Sequence, residues 1–177
     1  DPRDLHSFPT RRSSDLETTD PAKLQSIERT GWKARRASDY VEAVNEIQSY
    51  GVTVNACFIV GLDGDGPEVF DNIRKFVAEA DPLEVQVTVL TPFPGTALYR
   101  RLEAEGRLDP TPFWHKLTLF DLNFVPRGMT RDELEQGLIS LFVDIYNEES
   151  FNRRKRKYIQ IIRNLRGRGP SQEGRAI

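Results

Sequence analysis

The apolar positions of this chain fall in short blocks whose spacing alternates between helical and strand periods. Tyr40, Val41, Val44 and Ile47 recur at helical spacing after Ser38 or Asp39, either of which suits an N-cap, and Gly51 marks the stop. Val52–Val60 is a dense β-branched and apolar run, and it predicts a strand buried on both faces, the parallel-sheet type. Gly61-Leu62-Asp63-Gly64-Asp65-Gly66 predicts a tight loop. Pro67 then opens a helix carrying Val69, Phe70, Ile73, Phe76 and Val77, which Asp81-Pro82 ends. Val85–Leu90 predicts the next strand, closed by Thr91-Pro92-Phe93-Pro94-Gly95. Thr96 caps a helix with Leu98, Tyr99 and Leu102, stopped at Gly106. Upstream, Asp20-Pro21 starts a short helix with Leu24 and Ile27 on its apolar side and Gly31 at its end.

Beyond Gly106 the pattern changes. Phe113–Phe124 is aromatic-rich, and one more strand is expected around 117–124, before Pro126 and Gly128. Thr130 and Glu133 form a capping-box pair. They open a helix to about Asn147, with Leu134, Leu138, Leu141, Phe142 and Ile145 on one face. A second helix is expected from about Ser150 to Leu165, followed by a Gly- and Arg-rich tail expected to be disordered.

Alternating helices and strands of this length imply an α/β fold with a parallel sheet, and the units are as short as those of a β/α barrel. Two strands cannot close a barrel, because their free sides would expose unpaired backbone. The expected architecture is the C-terminal part of a parallel β/α (partial TIM-type) barrel over residues 17–126. A helical extension over 127–177 follows it. The leader, residues 1–16, has neither helical nor strand period. Arg3–Leu16 resembles one reading frame of a common short-read sequencing adapter. Residues 1–16 are therefore expected to be adapter-derived or a disordered arm, and natural sequence to begin near Glu17 with its upstream part missing.

Composition narrows the function. The 177 residues are 38% hydrophobic and 29% charged, with a formal net charge of -2, so the chain as a whole has no strong pull toward nucleic acid or anionic membranes. No apolar run approaches the roughly 20 residues of a membrane span, and there is no signal-peptide core. A single cysteine, Cys57, excludes an internal disulfide and a cysteine-rich metal cage. A cytoplasmic location is expected.

In a β/α barrel the site lies at the carboxyl ends of the strands, here Gly61–Asp65 and Thr91–Gly95. Asn55, Cys57 and Ile59 share one side of the first strand, so Asn55 and Cys57 are candidates to face the barrel interior, although a lone cysteine in such a strand reads first as a small core residue. His115, beside Trp114, has the chemistry of a proton carrier but reads first as a surface histidine. The run Arg153-Arg154-Lys155-Arg156-Lys157 could meet RNA phosphates, and reads first as a solvated helix face.

Four stretches, in order, resemble one family. Glu17-Thr18-Thr19 with Leu24, Ile27 and Arg29 is similar to the segment after the fourth strand of radical S-adenosylmethionine (SAM) barrels. Cys57-Phe58-Ile59-Val60-Gly61-Leu62-Asp63-Gly64-Asp65 resembles their fifth-strand segment. Leu90-Thr91-Pro92-Phe93-Pro94-Gly95-Thr96-Ala97-Leu98-Tyr99 resembles the sixth. Gly106-Arg107-Leu108, Trp114, Asn123-Phe124-Val125-Pro126 and Met129-Thr130 resemble the trailing elements of the members associated with cobalamin-binding domains. The resemblance implies a parent enzyme that cleaves SAM reductively at a [4Fe–4S] cluster and starts radical chemistry, with cobalamin-dependent methyl transfer as one form. It implies that Gly61, Leu62 and Thr91 lie on the adenine side of SAM, that Glu17 reaches its ribose and Arg29 its carboxylate, and that Asn55 lies near substrate or SAM. The family's CxxxCxxC motif is not in this sequence, so the cluster ligands and any cobalamin domain are expected in a covalently joined N-terminal half. The chain alone is expected to be inactive. The substrate is an unidentified small or lipid-like molecule. An RNA-modifying relative is a rival reading, disfavoured because only helices are expected after Pro126. A non-catalytic binding module is a second rival.

Overall fold

Apolar residues at every second position make two parallel strands the centre of this protein. The computed structural model describes residues 11–17, 39–110 and 114–167. Its elements are β1 (Arg11–Glu17), α1 (Tyr40–Ser49), β2 (Thr53–Val60), α2 (Glu68–Ala80), β3 (Glu84–Val89), α3 (Ala97–Ala104), a 3-10 turn (Trp114–Lys116), α4 (Arg131–Tyr146) and α5 (Glu148–Gly167). The fold is mixed α/β. All three strands run parallel in the order β1-β2-β3, with Cys57 opposite Gln86 and Phe58 opposite Val87. The helix expected at Pro21 lies outside the described residues, as does most of the tail expected to be disordered.

The two sheet faces differ. Val54, Ala56, Phe58 and Val60 are fully buried, beside Val85, Val87 and Val89. Helices cover this face, and the Phe58 ring meets Phe76 of α2 edge-on at 5.5 Å. The other face carries Asn55, Cys57 and Ile59 on β2, with Glu84, Gln86 and Thr88 on β3. Cys57, Ile59, Glu84 and Gln86 are only half-buried. The expectation of a strand buried on both faces is thus corrected. A parallel strand covered by helices on each side is apolar throughout, whereas β2 and β3 alternate, with a polar row on the second face.

Two further expectations change. Residues 11–17 form β1, where no element was expected. Its sequence has little strand propensity, but β2 offers a free row of N–H and C=O groups that any extended backbone can satisfy, and the register slips between Asp15 and Glu17. The strand expected near 117–124 is absent. That segment makes one antiparallel bridge, Leu108 to Phe124, and Leu119 O accepts from Val89 N at 2.8 Å. Thr118 and Asn123 turn the chain through side-chain bonds instead: the Thr118 hydroxyl donates to Asp121 at 2.6 Å, and the Asn123 amide donates to Lys116 O at 2.7 Å.

α4 forms as its sequence dictates. The Thr130 hydroxyl accepts from Glu133 N at 3.1 Å, and the Glu133 carboxylate accepts from Thr130 N at 2.7 Å. Those bonds hold the Glu133 carboxyl below its usual range. Leu134, Leu138, Leu141 and Ile145 are buried, while Phe142 is half-buried. At its far end Tyr146 guards the free edge of β3. Its hydroxyl donates to Val85 O at 2.9 Å and accepts from the Val87 backbone. Burial pushes the Tyr146 phenol up. Tyr146→Phe should lower stability by about 1 kcal/mol in urea unfolding, the net worth of such bonds once water replaces them.

α5 crosses the amino ends of the strands. Arg153 and Lys157 pair with Asp81 at 3.1 and 3.6 Å, and the Tyr158 hydroxyl donates to Gly51 O at 2.7 Å. Arg154 is 2% exposed and donates to Ile145 O at 2.9 Å. Burial, and then neighbouring Arg153, pull its guanidinium pKa down. Three of the five cations of the basic run are therefore turned inward or paired.

Candidate functional site

The carboxyl ends of β2 and β3 lie side by side, Leu90 N donating to Val60 O at 2.9 Å. Gly61, Leu62 and Thr91 therefore lie at adjacent strand ends. The loop after β2 is held by Asp65, which is 1% exposed. Its Oδ2 accepts from Gly61 N at 3.0 Å and Leu62 N at 2.9 Å, while its own N–H donates to Leu62 O at 2.9 Å. Gly61 turns the chain at φ 87°, a conformation that L side chains rarely adopt. A Cβ there would also meet the Phe124 ring at 3.2 Å and Leu134 at 3.5 Å. On the other side of the loop, Gly128 packs directly on the Asp65 carbonyl.

This loop is Gly-rich, yet it is not a phosphate cradle. Phosphate binding needs free backbone N–H groups, and those of Gly61 and Leu62 are spent on Asp65. What remains is a rigid platform with a half-buried Leu62, suited to a flat, weakly polar ring. Thr91 is 8% exposed, and its hydroxyl lies 3.0 Å from both Val89 O and Thr118 O. It fixes the second loop and leaves backbone for any ligand.

Ion pairs brace the platform. Arg107 Nη2 lies 2.9 Å from Asp63 in the loop, its Nη1 lies 2.8 Å from Glu105, and its Nε donates to Val125 O at 2.8 Å. Arg101 also meets Asp63, and Arg127 meets Glu105, each at 2.9 Å. Burial works to lower the Arg107 pKa, but the bonds from Glu105 and Asp63 outweigh it and hold the guanidinium up. Arg107 in turn holds the Glu105 carboxyl below its usual range. Arg131 grips Asp109 with two N–H groups at 2.6 and 3.1 Å and reaches the carbonyls of Phe124 and Leu122, each at 3.1 Å. These bonds fix the segment that carries Phe124, which is fully buried.

The other sequence candidates are not gathered here. Asn55 sits six positions before Gly61, about 20 Å lower at 3.3 Å per residue. It is 6% exposed, on the polar face opposite Glu84. Glu17 ends β1, level with Phe58 of β2. Arg29 lies outside the described residues. Cys57 is half-buried, its thiol 3.8 Å from Asn55 O. His115 is exposed. Sequence reasoning missed Asp65, Arg107 and Gly128 as architects of the site. Asp65 carried a readable signal, since an Asp closing a Gly-Leu-Asp-Gly turn is a side-chain acceptor for the turn's own N–H groups.

Among the described residues no group of three or more His, Cys, Asp or Glu could hold a metal ion. None of the helices described is long and apolar enough to cross a membrane.

Residues 96–176, from the cap of α3 through α5, match a domain of unknown function, DUF4070. The chain is similar to the hopanoid C-2 methylase of Rhodopseudomonas palustris, 32% identical over 93 residues, which are 52% of this chain and 17% of that protein. It is similar to the bacteriochlorophyllide d C-12(1)-methyltransferase of Chlorobaculum tepidum, 24% identical over 140 residues, 78% of this chain and 29% of that protein. An uncharacterized methyltransferase of Pyrococcus horikoshii is 26% identical over 131 residues, 74% of this chain and 28% of that protein. The chain thus spans less than a third of the length of each of these relatives.

Proposed function

Because this chain belongs to the cobalamin-associated radical SAM proteins, in which the DUF4070 domain is found, we propose that it supplies the adenine side of a SAM site in a methyltransferase. The observation that carries the reading is the convergence of Gly61-Leu62 and Thr91 on adjacent strand ends, fixed by Asp65. An adenine ring needs a flat, rigid edge more than it needs charge, and Leu62 with the flanking backbone offers that. The polar row of Asn55, Cys57, Gln86 and Thr88 would then line the interior of a β/α barrel of which these strands are part. The methyl acceptor proposed is a carbon of an apolar, multi-ring molecule, on the analogy of relatives named for a hopanoid and a bacteriochlorophyllide. Phe93 and Leu119, each 41% exposed beside Thr91 and Val89, would meet such a surface.

The cofactors differ in fit. The residues here suit the adenine end of SAM through packing. They do not fit a [4Fe–4S] cluster, since Cys57 is the one cysteine in the sequence and three thiolates are needed. Cluster and cobalamin would be held by other parts of the parent protein. The chemistry the bound cofactors supply is activation of an unreactive carbon and delivery of a methyl group. This chain would orient the nucleoside and shield the site from water. A cytoplasmic parent fits that chemistry, because a reduced cluster needs a reducing compartment.

Photolabelling with an 8-azidoadenine analogue of SAM tests the reading. Saturable label is expected in peptides spanning 58–66 and 88–95, and Gly61→Val should abolish it. Label that falls instead on α5, or that SAM does not compete away, would refute it.

A further inference from the structure

We infer that the outward face of α5 is a docking surface for an anionic lipid bilayer. From Ser150 to Gly167 the helix contains no acidic residue. Its inner face is occupied, with Arg154 buried, Tyr158 bonded to Gly51 O, and Ile162 and Leu165 packed by Gly51. At 100° per residue, Phe151, Lys155, Arg156, Ile159, Arg163 and Arg166 fall within about 140° of arc, which borders the inner face at Phe151 and turns away from it toward Arg156. All six are exposed, Phe151 by 47% and Ile159 by 37%. Among the described residues none of these four cations has an ion-pair partner, whereas Arg153 and Lys157, on the flank, pair with Asp81.

Two features favour a bilayer over RNA. Phe151 and Ile159 stand in one row with Lys155 between them, and apolar side chains among cations are the makeup of interfacial helices. RNA would reward aromatic stacking in a groove, and Ile159 offers no ring. The chain's net charge of -2 opposes approach only at long range, because charges beyond about 8–10 Å are screened at physiological salt. Each Lys or Arg near an anionic surface strengthens binding roughly fivefold. Four of them multiply to several hundredfold at low salt. The surface is at the amino ends of the strands, away from the candidate site, and the inference stands independently of the methyltransferase reading.

The test is co-sedimentation of the full chain with phosphatidylcholine vesicles, with and without phosphatidylglycerol. Binding is expected only with phosphatidylglycerol and should weaken as salt rises. The triple variant Lys155→Glu/Arg156→Glu/Arg163→Glu should lose it by at least a hundredfold while keeping the wild-type unfolding midpoint. Lys155→Glu alone should weaken binding several-fold, whereas Lys75→Glu, the same charge change on exposed α2, should not. Phe151→Ser/Ile159→Ser should weaken it about tenfold with the charges intact. Three results would each overturn the inference: equal binding to neutral vesicles, equal loss from Lys75→Glu and Lys155→Glu, or binding to single-stranded RNA without binding to vesicles.

Discussion

Asp65→Ala is expected to destabilise the chain by about 3 kcal/mol in urea unfolding and to release the loop after β2. The carboxylate is 1% exposed and is the acceptor for the N–H groups of both Gly61 and Leu62. Alanine leaves two donors without that acceptor, at about 1–3 kcal/mol each when buried. Leu62 is half-buried, so water can reach one of them, which sets the figure below the upper sum. Asp65→Asn keeps an oxygen in place and should recover most of the loss. Asp65→Glu should not, because an extra methylene has no room in a 1% exposed site pressed by Gly128. If Asp65→Ala and Asp65→Asn prove equally damaging, the loop depends on charge and not on an acceptor for its N–H groups.

Gly137→Ala is the second large effect, and its sign opposes helix propensity. Alanine in mid-helix is favoured over glycine by about 1 kcal/mol. Here the new Cβ would fall on the Phe70 ring, which is 3% exposed and belongs to the hydrophobic core. Overpacking of this kind costs about 1–3 kcal/mol, occasionally more. Because the ring is enclosed, overpacking should win, with a net loss of about 2 kcal/mol in thermal or urea unfolding. Gly167→Ala on α5 is the matched control, since nothing lies within 4 Å of its Cβ position. It should be neutral or slightly stabilising. Pairing Gly137→Ala with Phe70→Leu should recover part of the loss, and a double-mutant cycle would measure the coupling.

Most of the fold was legible because local rules and burial agreed. Thr130 and Glu133 announced α4, and both halves of the capping box are in place. Alternating valines announced β3. The misses have physical causes. Residues 11–17 pair through backbone alone, which side-chain patterns do not encode. Residues 117–124 hold strand-forming side chains, but the Thr118 and Asn123 side chains bind nearby backbone and turn it away. Arg154 was hidden inside a charge run, yet it stands at helical spacing with Tyr158, Ile161 and Leu165, the inward row of α5. Its long stem can be buried while one N–H reaches Ile145 O. At the site, sequence order named Gly61, Leu62 and Thr91 but could not say that the first two N–H groups were already engaged. The separation of Asn55 from them was readable, since six residues of one strand span about 20 Å.

The platform at Gly61 is built from parts far apart in the chain. Asp65 closes the loop locally, but the ring that covers Gly61 comes from Phe124, the backbone that presses Asp65 from Gly128, and the side chain behind it from Leu134. Contacts across such spans are entropically slow to close. On a ribosome, with the amino end emerging first, β2 and β3 are synthesised well before any of these covering residues exists. The turn that would receive the nucleoside therefore stays uncovered until the start of α4 has left the exit tunnel, and only α5, at the opposite end of the strands, arrives later.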